Sequence, residues 1–328
     1  MNGTQYIGLI GWNNNSTLLA KLLHQELRHT EVLAVATDHK EGQQYAREVL
    51  GLKHVYTEPH ALYELHQLNA ICINSSAEQH LDEVRQSLRS GTDVLIEQPL
   101  ASNVSDCEDI EKLDKSFPSQ KIVLAMPRRY DQHLIGMRQL VAEGALGHIV
   151  SIVVENYESY DAQRYAGSYP ASKGIFMDIT LQDIDMVRWL TGAEFTSVYA
   201  TGTTVKYPSL AAHQDADTAH IAASTDKGFA VSFLSSRSSL KGDGYAVKLV
   251  GTKGEYSYDS RIAKSSGTNV FPKVPKPDGA AYQSMIRDFV GVVAGHRRLP
   301  HSVEVGTRAT EVAVAMTKSF VLQEIIPI

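Results

Sequence analysis

The chain has 328 residues, 43% of them hydrophobic and 21% charged. That length exceeds one ordinary hydrophobic core, so two domains are expected of a globular protein of this composition. The net charge of −6 argues against nucleic acid or an anionic membrane surface as the main partner, though a small phosphorylated ligand at a local positive site stays open. In chain order, residues 6–10 read as a buried strand and 16–29 as a helix with Leu19, Leu22, Leu23 and Leu27 on one side. Strands are then predicted at 31–37, 54–56, 70–74, 93–97 and 122–125. Helices are predicted between them at 41–50, 60–65, 78–90 and 104–116. Strands separated by helices of this length imply a parallel sheet covered on both faces.

The pattern changes after Met126. A helix at 133–143 leads to longer strands at 149–157, 197–205, 218–224, 229–238 and 246–251, interrupted by one helix at about 174–190. The turn Asp226-Lys227-Gly228 joins two of these strands as a hairpin. Strands without intervening helices imply a mostly antiparallel sheet. Helices at 282–294 and 307–322 close the chain, and 260–280, rich in Ser, Gly, Pro and Lys, reads as an exposed loop. The expected architecture is therefore α/β: a doubly wound parallel domain over 1–126 and an α+β domain with a large, mostly antiparallel open sheet over 127–328.

Cys72 lies in an apolar run and Cys107 in a polar helical stretch, so neither a disulfide framework nor a cysteine metal site is expected. The thirteen histidines are scattered and none has metal-ligand spacing, so no metal is expected. No stretch has the length of a membrane span, and residues 1–6 carry no basic signal region. A cytoplasmic location without membrane contact is the expectation.

Gly8 and Gly11 end the first strand just before the first helix. In that setting backbone N–H groups and a helix N-terminus can receive a pyrophosphate. The dinucleotide fingerprint G-x-G-x-x-G reads here Gly11-Trp12-Asn13-Asn14-Asn15-Ser16, so only the first glycine remains. Asn13 tolerates left-handed backbone and can keep the turn, and Ser16 can pack or cap the helix; a plain strand-to-helix turn is the other reading. Asp38, after the second strand, can accept hydrogen bonds from an adenosine ribose, which favours NAD over NADP. The neighbouring His39 and Lys40 could instead hold a 2′-phosphate, or Asp38 could be a solvated turn residue.

Five later motifs carry a resemblance. They are Asn74-Ser75-Ser76-Ala77-Glu78-Gln79-His80, Glu97-Gln98-Pro99-Leu100, Pro127-Arg128-Arg129-Tyr130-Asp131, Glu143-Gly144-Ala145-Leu146-Gly147, and the run from Lys173 to Asp185 that contains Asp178, Gln182 and Asp183. In this order and spacing the chain resembles the Gfo/Idh/MocA family, the glucose–fructose oxidoreductase and inositol dehydrogenase group. The resemblance implies an NAD- or NADP-dependent oxidoreductase of sugars or polyols, a Rossmann domain joined to an open-sheet domain, and a homodimer or homotetramer formed through that sheet. It also implies a catalytic Lys in Glu-Lys-Pro and an Asp and His four residues apart. By that comparison Gln98 stands at the Lys position and Gln182 at the His position, and Asp178 remains. A Gln amide hydrogen-bonds but takes no proton, so the family mechanism is not expected intact. Ser75, Ser76, His80, Glu97 and Gln98 fall at cofactor-side positions, with His80 equally readable as a helix residue.

Asp178, Gln182 and Asp185 are spaced i, i+4 and i+7 on an otherwise apolar helix and are expected on one face. Such a stripe is costly unless paired, so it is either a site or a network satisfied by an arginine such as Arg188. Asp178 could act as a base if burial raises its pKa. Arg128, Arg129 and Tyr130 could bind a polyol or an acidic group, or form surface salt bridges. Tyr157, Tyr160, Tyr165 and Tyr169, with Glu158, Ser159 and Asp161, form a tyrosine-dense segment that suits a sugar pocket or ordinary packing. The function expected is oxidation of a sugar, inositol or related polyol. The alternatives are a catalytically degenerate cofactor- or sugar-binding regulator and a nicotinamide-recycling lyase or isomerase.

Overall fold

The structure, a computed structural model, describes residues 3–13, 15–158, 173–239, 243–261, 264–267 and 280–328. Asn14, Ser159, Tyr160, Asp161, Tyr165, Tyr169 and most of the predicted loop at 260–280 lie outside the described residues. The chain divides into two compact units, one of Met1–Met126 with Tyr282–Thr307, the other of Pro127–Ala281 with Arg308–Ile328. The sequence reading kept 282–307 with the second domain. In the structure the helix Ala280–Val293 buries Met285, Ile286, Phe289 and Val292, and Tyr282 Oη donates to Glu97 Oε1 at 2.8 Å, so side chains far from 1–126 in sequence complete the first unit.

The first unit is a six-stranded parallel sheet. Its strands are β1 (Gln5–Ile10), β2 (Thr30–Ala36), β3 (His54–Tyr56), β4 (Ala70–Ile73), β5 (Asp93–Ile96) and β6 (Ile122–Leu124), in the order β3-β2-β1-β4-β5-β6. β4 is buried along its whole length, as a strand covered on both faces must be. The first helix is not continuous to residue 29. Ser16–Lys21 is α-helical, Leu22–Glu26 widens into a π turn, and the Thr30 hydroxyl donates to Leu23 O and Leu27 O at 2.7 and 3.1 Å. That hydroxyl satisfies carbonyls the widened turn leaves over, while Leu22 and Leu23 both stay buried. Cys107, read as polar-stretch sequence, sits with Ile110 on the buried face of helix Val104–Ser116.

The second unit holds an eight-stranded sheet. Its strands are β7 (Ile149–Tyr157), β8 (Phe195–Thr203), β9 (Thr218–Thr225), β10 (Ala230–Ser236), β11 (Gly244–Gly251), β12 (Glu255–Asp259), β13 (Lys264–Gly267) and β14 (Ile326–Pro327), ordered β13-β12-β11-β7-β10-β9-β8-β14. β7 and β10 are parallel and all other neighbours antiparallel. The predicted hairpin joins β9 to β10, with Gly228 N donating to Thr225 O at 3.0 Å. β12, β13 and β14 were not anticipated. In β12 the alternation is plain, with Tyr256 and Tyr258 buried between polar residues. The helices Gln132–Ala142 and Leu181–Thr191 contribute to the same core as the inward residues Ile152, Val154, Ile221, Val231, Phe233, Val247 and Leu249. Among the described residues, no helix is long and apolar enough to cross a membrane, and no cluster of three potential metal ligands occurs.

Candidate functional site

In the first unit the strand order reverses between β1 and β4, and ligands of open α/β sheets bind outside the carboxyl ends of the strands at such a point. Gly11 leaves β1 with φ +78° and donates from its N–H to Ala36 O at 2.9 Å. A Cβ on Gly11 would stand 2.6 Å from the Asn74 carbonyl carbon, so glycine is required by the chain leaving β4. Asn13 does not take the expected left-handed backbone. It keeps the turn through its side chain: Oδ1 accepts from Asn15 N at 2.9 Å and Ser16 Oγ at 3.1 Å, while Ser16 Oγ accepts from Asn13 N at 2.8 Å. Trp12 turns away onto helix Lys40–Glu48, where a Cβ on Gly42 would meet its ring at 2.6 Å, and it lies 5.7 Å from the Tyr45 ring. Asp38 and His39 are exposed beyond β2, 3.9 Å apart. Gly8 is buried within β1 and faces Leu62, Leu68 and Ile71 rather than the turn.

The ends of β4 and β5 hold most of the other predicted cofactor residues. His80 is 1% exposed, its Nδ1 3.0 Å from Pro99 O and its Nε2 3.2 Å from Ser75 O. Burial lowers its pKa against the three carbonyls around it. The ring ties the loop after β4 to the one after β5 and is enclosed by backbone. Ser76 donates to Gln79 Oε1, and Glu97 accepts from Tyr282. Gln98 forms a cis peptide with Pro99, and its Nε2 lies 3.1 Å from Met126 Sδ. Its Oε1 is buried without a partner, as are both polar atoms of the Asn74 carboxamide, although Asn74 is only 3% exposed. Buried amide atoms are almost always hydrogen-bonded, so these unpartnered ones, Asn74 at the end of β4 beside the switch point and Gln98 just after β5, fit a polar ligand such as a dinucleotide. Asn74 was not anticipated; its signal is a carboxamide ending an otherwise apolar buried strand.

Ser75 Oγ donates to Glu83, which burial pushes up to about 7 from an ordinary 4.5. Between those values the folded protein binds more protons than the unfolded chain, so this group's contribution falls as pH rises from about 4.5 to 7. Glu83→Gln is expected to reduce the loss of Tm between about pH 5 and pH 8, read by thermal unfolding across that range; an unchanged slope would mean that Glu83 titrates normally.

In the second unit a charged cluster surrounds the helix start. Asp178 lies in a π turn, Phe176–Thr180, and its Oδ2 accepts from Arg237 Nη2 at 3.1 Å. Arg237 is 2% exposed and also donates from Nη1 to Asp215 Oδ2 at 2.5 Å. Asp215 Oδ1 accepts from Ile175 N at 2.8 Å and so anchors the turn that carries Asp178. Burial pushes the Asp178 pKa up, and the Arg237 charge opposes that shift. Gln182 is half-buried one turn on. The predicted single polar face is divided. Arg129 holds Asp185 through Nε at 2.9 Å and Nη2 at 2.6 Å, and Arg128 pairs with Asp183, whose Oδ2 also accepts from Asn156 Nδ2 at 3.1 Å. Arg188, the predicted partner, instead pairs with Glu194. Arg128 is stacked 4.3 Å from the Tyr245 ring centroid, and Tyr130 lies half-buried in the same 3-10 turn, Pro127–Tyr130. Tyr157 is not brought to this cluster. Along β7 the inward residues are Ile152, Val154 and Asn156, so Tyr157 points out with Glu155, its Oη donating to Glu155 Oε2 at 3.3 Å and its ring 4.6 Å from the Arg261 guanidinium carbon.

Comparison with known proteins agrees with this architecture. The profile of the oxidoreductase family with an NAD-binding Rossmann fold, GFO/IDH/MocA, matches residues 6–123, and the profile of the GFO/IDH/MocA C-terminal domain matches residues 135–257. The myo-inositol 2-dehydrogenase of Thermotoga maritima is 26% identical over 77% of this chain and 75% of its own. The scyllo-inositol 2-dehydrogenase (NAD(+)) of Bacillus subtilis is 25% identical over 85% of this chain and 83% of its own. Among solved structures, the scyllo-inositol dehydrogenase of Lactobacillus casei with bound NAD(H) and scyllo-inositol superposes with a TM-score of 0.88 at 21% identity, covering 99% of each chain. With both of its halves matched in order over well more than half of its length, the chain belongs to the Gfo/Idh/MocA family of NAD-binding Rossmann-fold oxidoreductases.

Proposed function

We propose that the protein is an NAD-dependent oxidoreductase that oxidises a CH–OH group of a sugar, inositol or related polyol. The observation that carries this reading is the set of unpartnered buried amide atoms of Asn74, beside the switch point of a family Rossmann sheet, and of Gln98, after the neighbouring strand; a bound dinucleotide would complete their hydrogen bonds. Relatives named as inositol dehydrogenases support a polyol substrate. In this assignment the Gly11–Ser16 turn with Ser75 and Ser76 receives the pyrophosphate, and the exposed Asp38, flanked by His39, accepts from the ribose and favours NAD. When bound, the dinucleotide supplies the hydride acceptor. His80 and the Glu97–Tyr282 pair hold the loops in place. Asp178, oriented by Arg237, and Gln182 bind substrate hydroxyls, with Arg128 and Tyr130 at the edge of the same cluster.

Calorimetric titration of cofactor-free protein with NAD, NADH, NADP and NADPH is expected to show micromolar binding of the NAD forms and weaker binding of the phosphorylated ones. The reverse preference would assign His39 and Lys40 to a 2′-phosphate. One observation favours a regulator without turnover: the Asn13 side chain already occupies Asn15 N–H, a donor a pyrophosphate would use. Absence of binding of all four forms would favour that second reading.

By the family resemblance, Gln98 and Gln182 replace a proton-carrying Lys and His. Restoring a positioned acid–base group is worth roughly 10²-fold or more where it is missing. The expected result is an active wild type and no such gain in kcat/KM for a Gln98→Lys/Gln182→His double variant, because another residue carries the proton. A gain of that size would show a decayed site.

A further inference from the structure

The carboxylates described around Asp178 are almost all claimed. Asp178 and Asp215 share Arg237, Asp183 pairs with Arg128, and Asp185 pairs with Arg129. Each ion pair holds its carboxylate in one place. Glu158 is different. It follows β7, where the inward residues alternate Ile152, Val154, Asn156, and the Asn156 amide already reaches Asp183. Continuing that period of two, Glu158 falls on the same inward side. Two backbone bonds fix the position: Glu158 N donates to Ser236 O at 2.8 Å, and Ser239 N donates to Glu158 O at 3.1 Å. They keep Glu158 in register with the end of β10, next to which Arg237 is placed. The charged groups whose fields act on its carboxyl are Asp178, Asp243, Arg237 and Arg128. Among the described residues it makes no ion pair or side-chain hydrogen bond.

We propose that Glu158 is the acid–base residue of this site, taking the proton of the substrate hydroxyl in place of the Lys and His that the family resemblance leads one to expect. The inference rests on the polyol oxidoreductase reading above. Oxidising an alcohol to a ketone removes a hydride from carbon and a proton from oxygen. The hydride is accounted for by NAD; the O–H bond breaks toward a Glu158 oxygen, and the electron pair left on the substrate oxygen forms the C=O bond. The proton then passes to solvent, restoring the carboxylate, and the sequence runs backward for ketone reduction. Asp178, held by Arg237, orients the hydroxyl. Burial, then the Asp178 and Asp243 charges, push the Glu158 carboxyl up to about 7 against the opposing pull of Arg237 and Arg128, which suits exchange near neutral pH.

Two measurements test this. In the first, cofactor-free protein carrying glutamate labelled with 13C at the carboxyl is titrated by NMR, with Glu158→Gln identifying the signal. A Glu158 transition near pH 7 is expected; one in the ordinary carboxylate range overturns the proposal. In the second, kcat/KM for a polyol accepted with NAD is followed against pH. Glu158→Gln should lower it by roughly 10²-fold or more and abolish the limb that rises through neutrality, while Glu158→Asp keeps that limb and part of the rate. Unchanged NAD affinity in the titration above separates this loss from misfolding. A Glu158→Gln rate within about twofold of wild type at every pH overturns the proposal. Wild-type protein that binds NAD and turns over no polyol sinks the polyol reading itself, and the proposal with it.

Discussion

Arg237→Ala is expected to lower the stability of the second unit by about 3–5 kcal/mol, the cost of removing one partner from a buried ion pair. The guanidinium is 2% exposed and stands between two carboxylates, Asp215 and Asp178. Without it both acids keep their burial and lose their counter-charge. The deficit should also depend on pH. In the wild type, burial already raises the Asp178 pKa, and the Arg237 charge is what opposes that rise. In the variant the opposition is gone, so Asp178 holds its proton to higher pH in the folded state while the unfolded chain releases it at the ordinary value. The folded state then binds more protons over a wider window, and stability falls further as pH rises through it. Urea unfolding at about pH 5 and pH 8 reads both effects. A partial rescue is expected from Arg237→Ala/Asp215→Asn, in which one uncompensated charge is removed. A loss under about 1 kcal/mol, independent of pH, would show that solvent reaches the pair.

Architecture was legible where periodicity carries it. Unbroken apolar runs between amphipathic helices demand a doubly covered parallel sheet, and the strands after Met126 demand an open one. The first and fourth strands could therefore be placed from their own residues, and Gly11 with them. The site was less legible because its partners are distant in sequence. Arg237 meets Asp178 across 59 positions, and Asp183 meets Arg128 across 55. No local pattern marks such a pair. The π turns at Leu22–Glu26 and Phe176–Thr180 also defeat arguments from ideal helical spacing. That is why Asp178 and Asp185, assigned to one face, have different arginine partners. Tyr157 is another kind of case. Its outward position follows from the strict alternation of β7, which was available from the sequence once the strand was drawn, whereas tyrosine density says nothing about which face a residue takes. The same alternation points Glu158 inward.

Gly11→Ala is expected to be among the most damaging single-methyl additions in the chain, and a second glycine supplies the control. Gly11 and Gly228 have nearly the same φ, +78° and +79°. An alanine in that region costs about 1–2 kcal/mol for conformation alone. At Gly228 nothing lies within 4 Å of the added Cβ, so conformation should be the whole effect. At Gly11 the Cβ would stand 2.6 Å from both the Asn74 carbonyl carbon and Ser75 Cα. Those are backbone atoms, and Asn74 N is held to Ile10 O at 2.7 Å, so they cannot swing aside as a flexible side chain would. Relief requires the β1 and β4 ends to part, which breaks the bond from Asn74 N and displaces the orphaned Asn74 amide. Gly11→Ala should therefore cost roughly 2 kcal/mol or more beyond Gly228→Ala in denaturant unfolding, in line with overpacking of a site that cannot relax. Amide exchange should accelerate at Asn74, and NAD affinity should fall with it, while Gly228→Ala leaves both unchanged. Equal losses at the two positions would mean that the loop after β4 yields freely, and the rigid switch point on which the cofactor assignment depends would have to be given up.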